Sequence, residues 1–354
     1  MTKKESSLEE LLKIDAPPER IEELMGLVEI DLPGVSDEVK RHLLKQQVEM
    51  SNLEYGRHGT GTKITDELVA KLMEDSIDTH VHGGSDPFER RQLEDEIAID
   101  CTKAKMKAIV IKTWYTPSAS RNALVQKIVD KWAEEHGMRP VQVFGGITLN
   151  NSVGGLNPDA VMKCLGYPRF KYVWMPMADS YYHQLTVFNR KNTGIKYVTD
   201  DGKVVPPVKE IVRIIADNDL VLASGHYPHR ETAILKEEAI KMGVKRMEVL
   251  HPTLIHSKNT LAQLKELASE GVMINLMGIA SVHIRFAEGI RRLFRIIKEL
   301  NEFMIWGSDS GQIQNPTEVE GQNWMIRVLL AYGFTEEEIT RIFKTNPAKH
   351  LGID

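Results

Sequence analysis

From Ile77 to the C-terminus, short apolar runs alternate with amphipathic helical stretches, and this alternation constrains the fold more than any other feature of the chain. The runs are Ile77–Val81, Ala108–Ile111, Val141–Ile147, Tyr172–Met177, Leu220–Ser224, Met247–Leu250, Val272–Leu276 and Phe303–Trp306. Between them lie helical patterns such as Asn122–Glu135, Val208–Asp217, Glu231–Met242, Leu261–Glu270 and Ile290–Leu300. Runs that are apolar throughout suit strands buried on both faces, and strands separated by a helix's length of chain pair in parallel. Such units close most economically into an α/β fold, the (β/α)8 or TIM barrel. An open doubly wound sheet gives the same alternation, so the placement of the polar residues has to decide.

Upstream, residues 1–74 carry helical patterns only: around Leu8 to Leu12, from Pro17-Pro18, after Ser36 and after Thr65. The glycine-rich stretch GRHGTGT at 56–62 has no apolar period and reads as a linker. The expected division is an N-terminal helical extension over 1–74, capping the barrel or making the contact of a homo-oligomer, and a barrel over 75–354. Net charge is −5 with both signs interleaved, which gives no footprint for nucleic acid and leaves a small molecule as the expected partner. Cys101 and Cys164 stand apart and outside any C-x-x-C pattern, as in a reducing compartment. The start, MTKKESSLEELLK, is too polar for a signal peptide, and no stretch approaches the roughly 18 apolar residues of a membrane span. A cytoplasmic protein is expected.

The polar residues fall directly after the apolar runs: His80 and His82, Lys112, Leu149-Asn150, Asp179, His226, His251, Gly278 and Asp309. In a closed barrel these positions share the C-terminal rim, where active sites are built. In SIDTHVHGG the imidazoles stand two apart on a strand, so both face one side and suit a single metal ion. His226 in LVLASGHYPH and His251 in RMEVLHP follow buried-strand patterns, where an imidazole needs a polar partner. Asp309, in WGSDSG, can ligate a metal and take a proton from metal-bound water. Nitrogen and oxygen donors without thiolate favour a divalent ion, zinc first, with manganese, iron and nickel left open.

At this point the chain resembles the amidohydrolase superfamily of metal-dependent hydrolases. The resemblance spans roughly residues 76 to 352 and rests on His80, His82, His226, His251 and Asp309 in order and spacing, and on NPAKHLGI at 346–353. In that superfamily a His-X-His ends the first strand, single histidines end the fifth and sixth, and an aspartate ends the eighth. The segments DTHVHGGSDPFERR, AIVIKTWYTPSASR, FGGITLNNSVGGLNPDAV, VWMPMADSYYH and GSDSGQIQNP resemble one little-characterised branch of it. The resemblance implies one or two metal ions and a hydrolytic reaction. Many two-metal members carry a carboxylated lysine at the end of the fourth strand, but here that strand reads YVWMPMADS. Lys112, ending the second run, is the substitute, and the choice between a carbamate there and a one-metal site without it stays open.

The longest insertion, Asp179 to Pro207, follows the fourth run, carries a hairpin signal at Asp200-Asp201-Gly202, and is placed to cover the rim. His183 and Tyr182 from it, with Trp114 and Arg91 from other rim loops, are the expected substrate contacts, suited to a planar or cyclic molecule bearing a carboxylate. The expected reaction is hydrolysis of a C–N or C–O bond in an amide, cyclic amide or lactone. In it Asp309 is the general base, and His251 binds a second metal or stabilises the oxyanion. The rivals are metal-dependent non-oxidative decarboxylation on the same barrel, a Schiff-base aldolase using Lys112, and a binding protein without catalysis.

Overall fold

The structure, a computed structural model, describes residues 36–37, 64–277 and 287–353. The first three helical patterns of the extension lie outside the described residues, save for Ser36 and Asp37, as do the GRHGTGT linker and Gly278. The fourth is helix α1, Asp66–Met73, opened by Thr65, whose side chain accepts from Leu68 N. Its buried residues Val69, Leu72 and Met73 join the barrel's outer core, so this last turn of the extension packs as part of the barrel.

Eight strands run in parallel in the order of the chain: β1 Ile77–Val81, β2 Ala108–Ile111, β3 Gln142–Thr148, β4 Phe170–Trp174, β5 Val221–Ala223, β6 Met247–Leu250, β7 Met273–Met277 and β8 Met304–Gly307. Helices separate most of them, among them Glu94–Lys103, Ala119–Glu135, Pro206–Asp217, His229–Lys241 and Leu261–Ser269. Closure comes from bonds just above the ends of β1 and β8, where Asp309 N donates to His80 O (2.8 Å) and His82 N donates to Ser310 O (2.8 Å). That seam decides for the barrel over the open sheet, and it places two expected ligands on one strand beside a third on its neighbour. The fourth strand ends at Trp174, earlier than its apolar run, because the run marks burial and Met175 and Met177 stay buried beyond the strand.

Alternate strand residues fill two cores. Ile77, Val110, Tyr172, Trp174, Val221 and Leu250 pack inside the barrel, while Ile109, Ile111, Val143, Val173, Leu222 and Ile274 face the helices. The lower interior is polar and bonded across several strands. Glu248 accepts from Tyr172 OH (3.1 Å) and from Asn275 Nδ2 (3.1 Å), and Asn275 also donates to Thr79 Oγ1 (3.0 Å). His350, on the helix Asn346–Leu351 formed by the NPAKHLGI segment, reaches Glu248 Oε2 at 3.2 Å. Asn346 of the same segment donates to Met304 O at the foot of β8 (2.7 Å), so this motif plugs the end of the barrel opposite the histidines. Among the described residues no helix is long and apolar enough to cross a membrane, and Cys101 and Cys164 are both buried and unpaired.

Candidate active site

The placement of His80 depends on an irregularity that alternation alone does not reveal. Asp78 pairs with Ile109 and Val81 with Ile111, so three steps on β1 oppose two on β2. This bulge turns both Thr79 and His80 inward, while Asp78 and Val81 face the helices and His82 faces in again. Asp78 then acts as a staple from outside: its Oδ1 accepts from His80 N (2.8 Å) and from Ser308 N (3.0 Å), tying the two ligand-bearing strand ends together.

His80 Nε2 and His82 Nε2 lie 3.2 Å apart and face the same carboxylate oxygen, Asp309 Oδ1, at 3.3 and 3.0 Å. Asp309 holds a left-handed backbone, φ 51°, which costs a non-glycine residue on the order of 1–2 kcal/mol and marks a position where geometry outranks stability. His251 shares that feature with φ 46°. Two residues after Asp309, Gly311 at φ 125° passes so close that an added Cβ would sit 2.0 Å from His82 O. Gly311→Ala is therefore expected to push His82 off its line to Asp309 and to lower stability by more than about 1 kcal/mol. An unchanged urea midpoint together with unchanged metal affinity would show that the contact yields freely.

A second convergence lies beside the first. His183, near the start of the insertion helix Tyr181–Thr186, places Nδ1 2.8 Å from His226 Nδ1. Ser180 fixes that turn, since its Oγ accepts from His183 N (3.1 Å) and donates to His226 O (3.0 Å). His256 stacks on His226 with ring centroids 3.9 Å apart. It lies in the loop after β6, outside the strand-end pattern, and was missed by sequence reasoning; the second histidine of HPTLIH was the available signal. His251 stands between the groups, its ring 5.7 Å from that of His80 and 4.9 Å from that of His226.

Other expected residues sort themselves by direction. Lys112 is fully buried, with Nζ 3.2 Å from His80 Nε2. Trp114 lies edge-on to His82, His183 and His226 at 6.1–6.4 Å, at the centre of the rim. Tyr182 turns away, donating to Glu231. Arg91 is exposed and donates to Ile313 O (3.4 Å), so it is not brought to the cluster; its neighbour Arg90 is, held by Asp86 (2.7 Å) with Nη2 3.3 Å from His82 Nδ1. A guanidinium only donates, so this contact leaves the His82 ring proton on Nε2 facing Asp309. Ligation through Nε2 needs that proton on Nδ1, which sets ion loading against the Arg90 contact. Asn150 and Asp179, also at strand ends, serve the framework: Asn150 Nδ2 donates to Trp114 O (3.0 Å), and Asp179 Oδ2 accepts from Asn151 N (2.8 Å).

Burial sets the protonation of the whole group. It lowers His80 to about 3, His183 to about 4 and His256 to about 3, and it pulls His82, His226 and His251 down as well. All are thus neutral near pH 7, the form in which imidazole ligates metals. Burial pushes the Asp309 carboxyl up, but hydrogen bonds from His80 and His82 outweigh it and hold the group well below the usual carboxylate range. Burial also brings the Lys112 amine down to about 7, against the opposing pull of Asp309 and Glu248.

The model of a family described as a family of unknown function, DUF6282, matches residues 75–275, more than half of the chain. The chain belongs to that family. The matched span holds β1 to β6 and most of β7, and with them every histidine of the two convergences, while Asp309 lies beyond it. No curated protein matches the chain by sequence. Among solved structures, the chain is similar to a lactonase from Listeria monocytogenes, at 14% identity over 80% of this chain and 96% of that one, with a TM-score of 0.52. It is also similar to an amidohydrolase from Burkholderia multivorans with bound zinc, at 11% identity over 79% of this chain and 99% of that one, with a TM-score of 0.50. These likenesses show the fold: this member of DUF6282 has an eight-stranded parallel barrel similar to those of the lactonase and the amidohydrolase.

Proposed function

We propose that the chain is a metal-dependent hydrolase that cleaves a C–N or C–O bond in an amide, a cyclic amide or a lactone. The observation that carries this reading is the convergence of His80 Nε2 and His82 Nε2 on Asp309 Oδ1, within 3.3 Å, at the C-terminal rim of the barrel. Two neutral imidazoles and one carboxylate fit a divalent ion, zinc first, and His226 and His251 extend the donor set so that one or two ions per chain are expected. The barrel shared with a lactonase and with a zinc-bearing amidohydrolase supports the reading.

A divalent ion held there supplies Lewis-acid polarisation of a carbonyl and makes water acidic enough to attack near neutral pH. The protein's own residues do the rest. Asp309, ionised, takes the proton of the attacking water and delivers it to the departing nitrogen or oxygen. One C–O bond forms, the scissile bond breaks, and nothing is oxidised or reduced. His251 stabilises the oxyanion from the side of the cluster where its Nδ1 has no hydrogen-bond partner among the described residues. Trp114 offers a face to a planar substrate, and Arg90, with Nη2 3.3 Å from His82 Nδ1, offers a guanidinium for a substrate carboxylate. Lys112, a buried amine beside His80, would help hold the ion if it took up carbon dioxide as a carbamate, which supplies a negative oxygen donor.

Protein purified without chelator is expected to hold one or two divalent transition ions per chain and to hydrolyse members of an amide and lactone panel. Chelation should abolish that activity and zinc should restore it. Elemental analysis giving well below about 0.3 ion per chain on repeated preparations would sink the reading. Release of carbon dioxide without consumption of water would transfer it to the decarboxylase rival.

A further inference from the structure

We propose that Glu318 is a positioning residue of the candidate active site: it stays a neutral carboxylic acid and donates its proton to Asp78, completing the staple that orients His80. The inference deepens the hydrolase reading and rests on it only for the purpose that His80 serves. Glu318 acts on the ligands through Asp78, from the outer side of the barrel.

Glu318 opens the helix Glu318–Ala331, which follows β8. Its side chain is hydrogen-bonded to that of Asp78, and the two residues are 2% and 0% exposed. Among the described residues, neither Asp78 Oδ2 nor Glu318 Oε1 has a donor. Two ionised carboxylates only accept and cannot bond to each other. One proton held between those two oxygens satisfies both at once.

The other partners decide which residue carries the proton. Asp78 Oδ1 accepts from His80 N at 2.8 Å and from Ser308 N at 3.0 Å, and backbone donors favour the ionised form. Glu318 Oε2 accepts from the Cys101 thiol at 2.9 Å, a weak donor. Asp100, a further charge that acts on Glu318, is negative as well. A helix N-terminus favours an anion, but an ionised carboxyl buried beside another costs more than the dipole returns. Burial raises both carboxyls, and the bond between them then pulls Asp78 back down and pushes Glu318 further up.

This proton matters to the site because of what Asp78 holds. Deprived of its donor, Asp78 would keep an unpaired oxygen in the layer between strands and helices, and relieving it means turning away from His80 N and Ser308 N. His80 Nε2 faces Asp309 Oδ1 at 3.3 Å, so a shift of residue 80 changes the pair that would hold the ion.

The test uses the full chain and reads the infrared band of un-ionised carboxyl groups at neutral pH, amide hydrogen exchange at His80 and Ser308, and affinity for cobalt. Wild type is expected to show a carboxylic-acid carbonyl band that Glu318→Gln lacks. Glu318→Gln still offers an N–H to Asp78, so its exchange and cobalt affinity should stay close to wild type. Glu318→Leu fills the space without a donor. Exchange at both amides should quicken about tenfold or more, and cobalt binding should weaken about 10- to 100-fold. Equal losses in the two variants would reduce Glu318 to packing and overturn the proposal. A wild-type spectrum with no band that Glu318→Gln removes overturns it too, as does a Glu318→Leu that matches wild type in exchange. Should Glu318→Leu fail to fold, the band and the exchange of Glu318→Gln against wild type still decide. Failure of wild type to bind cobalt sinks the hydrolase reading alone, since the band and the exchange are read without an ion.

Discussion

Asp309→Asn is expected to lower turnover on the order of 100-fold or more while the barrel stays folded and an ion is retained. The fold should survive because asparagine is among the few residues that tolerate the left-handed backbone found here, and the bond from residue 309 N to His80 O is made by the main chain. The side-chain oxygen that meets His80 and His82 also persists in the amide, so ligation is weakened and not abolished. What disappears is the capacity to accept a proton from water and release it to the leaving group. A 100-fold loss corresponds to about 2.7 kcal/mol of transition-state stabilisation. The measurement is kcat beside ion content and melting temperature. Near-normal turnover in a folded, ion-loaded variant would remove Asp309 from proton transfer.

Much of the barrel was legible because strands buried on both faces leave uninterrupted apolar runs. Ile77–Val81, Ala108–Ile111 and Met247–Leu250 coincide with β1, β2 and β6 to the residue. Apolar runs report burial and not hydrogen bonding, which is why the fourth run overshoots its strand while Met175 and Met177 remain buried. The bulge in β1 was not legible. It exists only in the register between Asp78–Val81 and Ile109–Ile111, a property of two strands together that no single stretch of sequence carries.

The same boundary runs through the site. The placement of His80, His82, Lys112, His226, His251 and Asp309 was legible because each lies at or just beyond the end of an apolar run, and the barrel gathers such ends. His256 was not, since it lies in an irregular loop with no period to mark which way it faces. Adjacent residues were the hardest to separate. Arg91 N is bonded to Gly311 O while its side chain is exposed, leaving Arg90 to reach His82. On the insertion helix, one residue turns the side chain by about 100°, enough to send Tyr182 to Glu231 and His183 to His226.

Lys112→Ala separates three chemistries at one position. If Lys112 carries a carbamate, the variant should lose the ion held by His80, His82 and Asp309, lowering the count by about one, and activity should fall sharply with it. The geometry favours this outcome: Nζ lies 3.2 Å from the His80 nitrogen that faces Asp309, and burial brings the amine down to about 7, so a large share of it is neutral and able to take up carbon dioxide. An ammonium at that distance would repel a divalent ion, whereas a carbamate oxygen attracts it. Short carboxylic acids added to the variant should restore part of both ion content and activity by filling the vacated space. As a Schiff-base nucleophile, Lys112 would instead be labelled by borohydride with a carbonyl substrate, and its replacement would leave the ion count unchanged. Its complete burial beneath the histidines stands against that, because a substrate carbonyl would have to pass them to reach it. As a plain partner of His80, its loss would change KM or kcat at constant ion content. An unchanged ion count therefore sinks the carbamate even if activity vanishes, and the labelling experiment then decides between the other two.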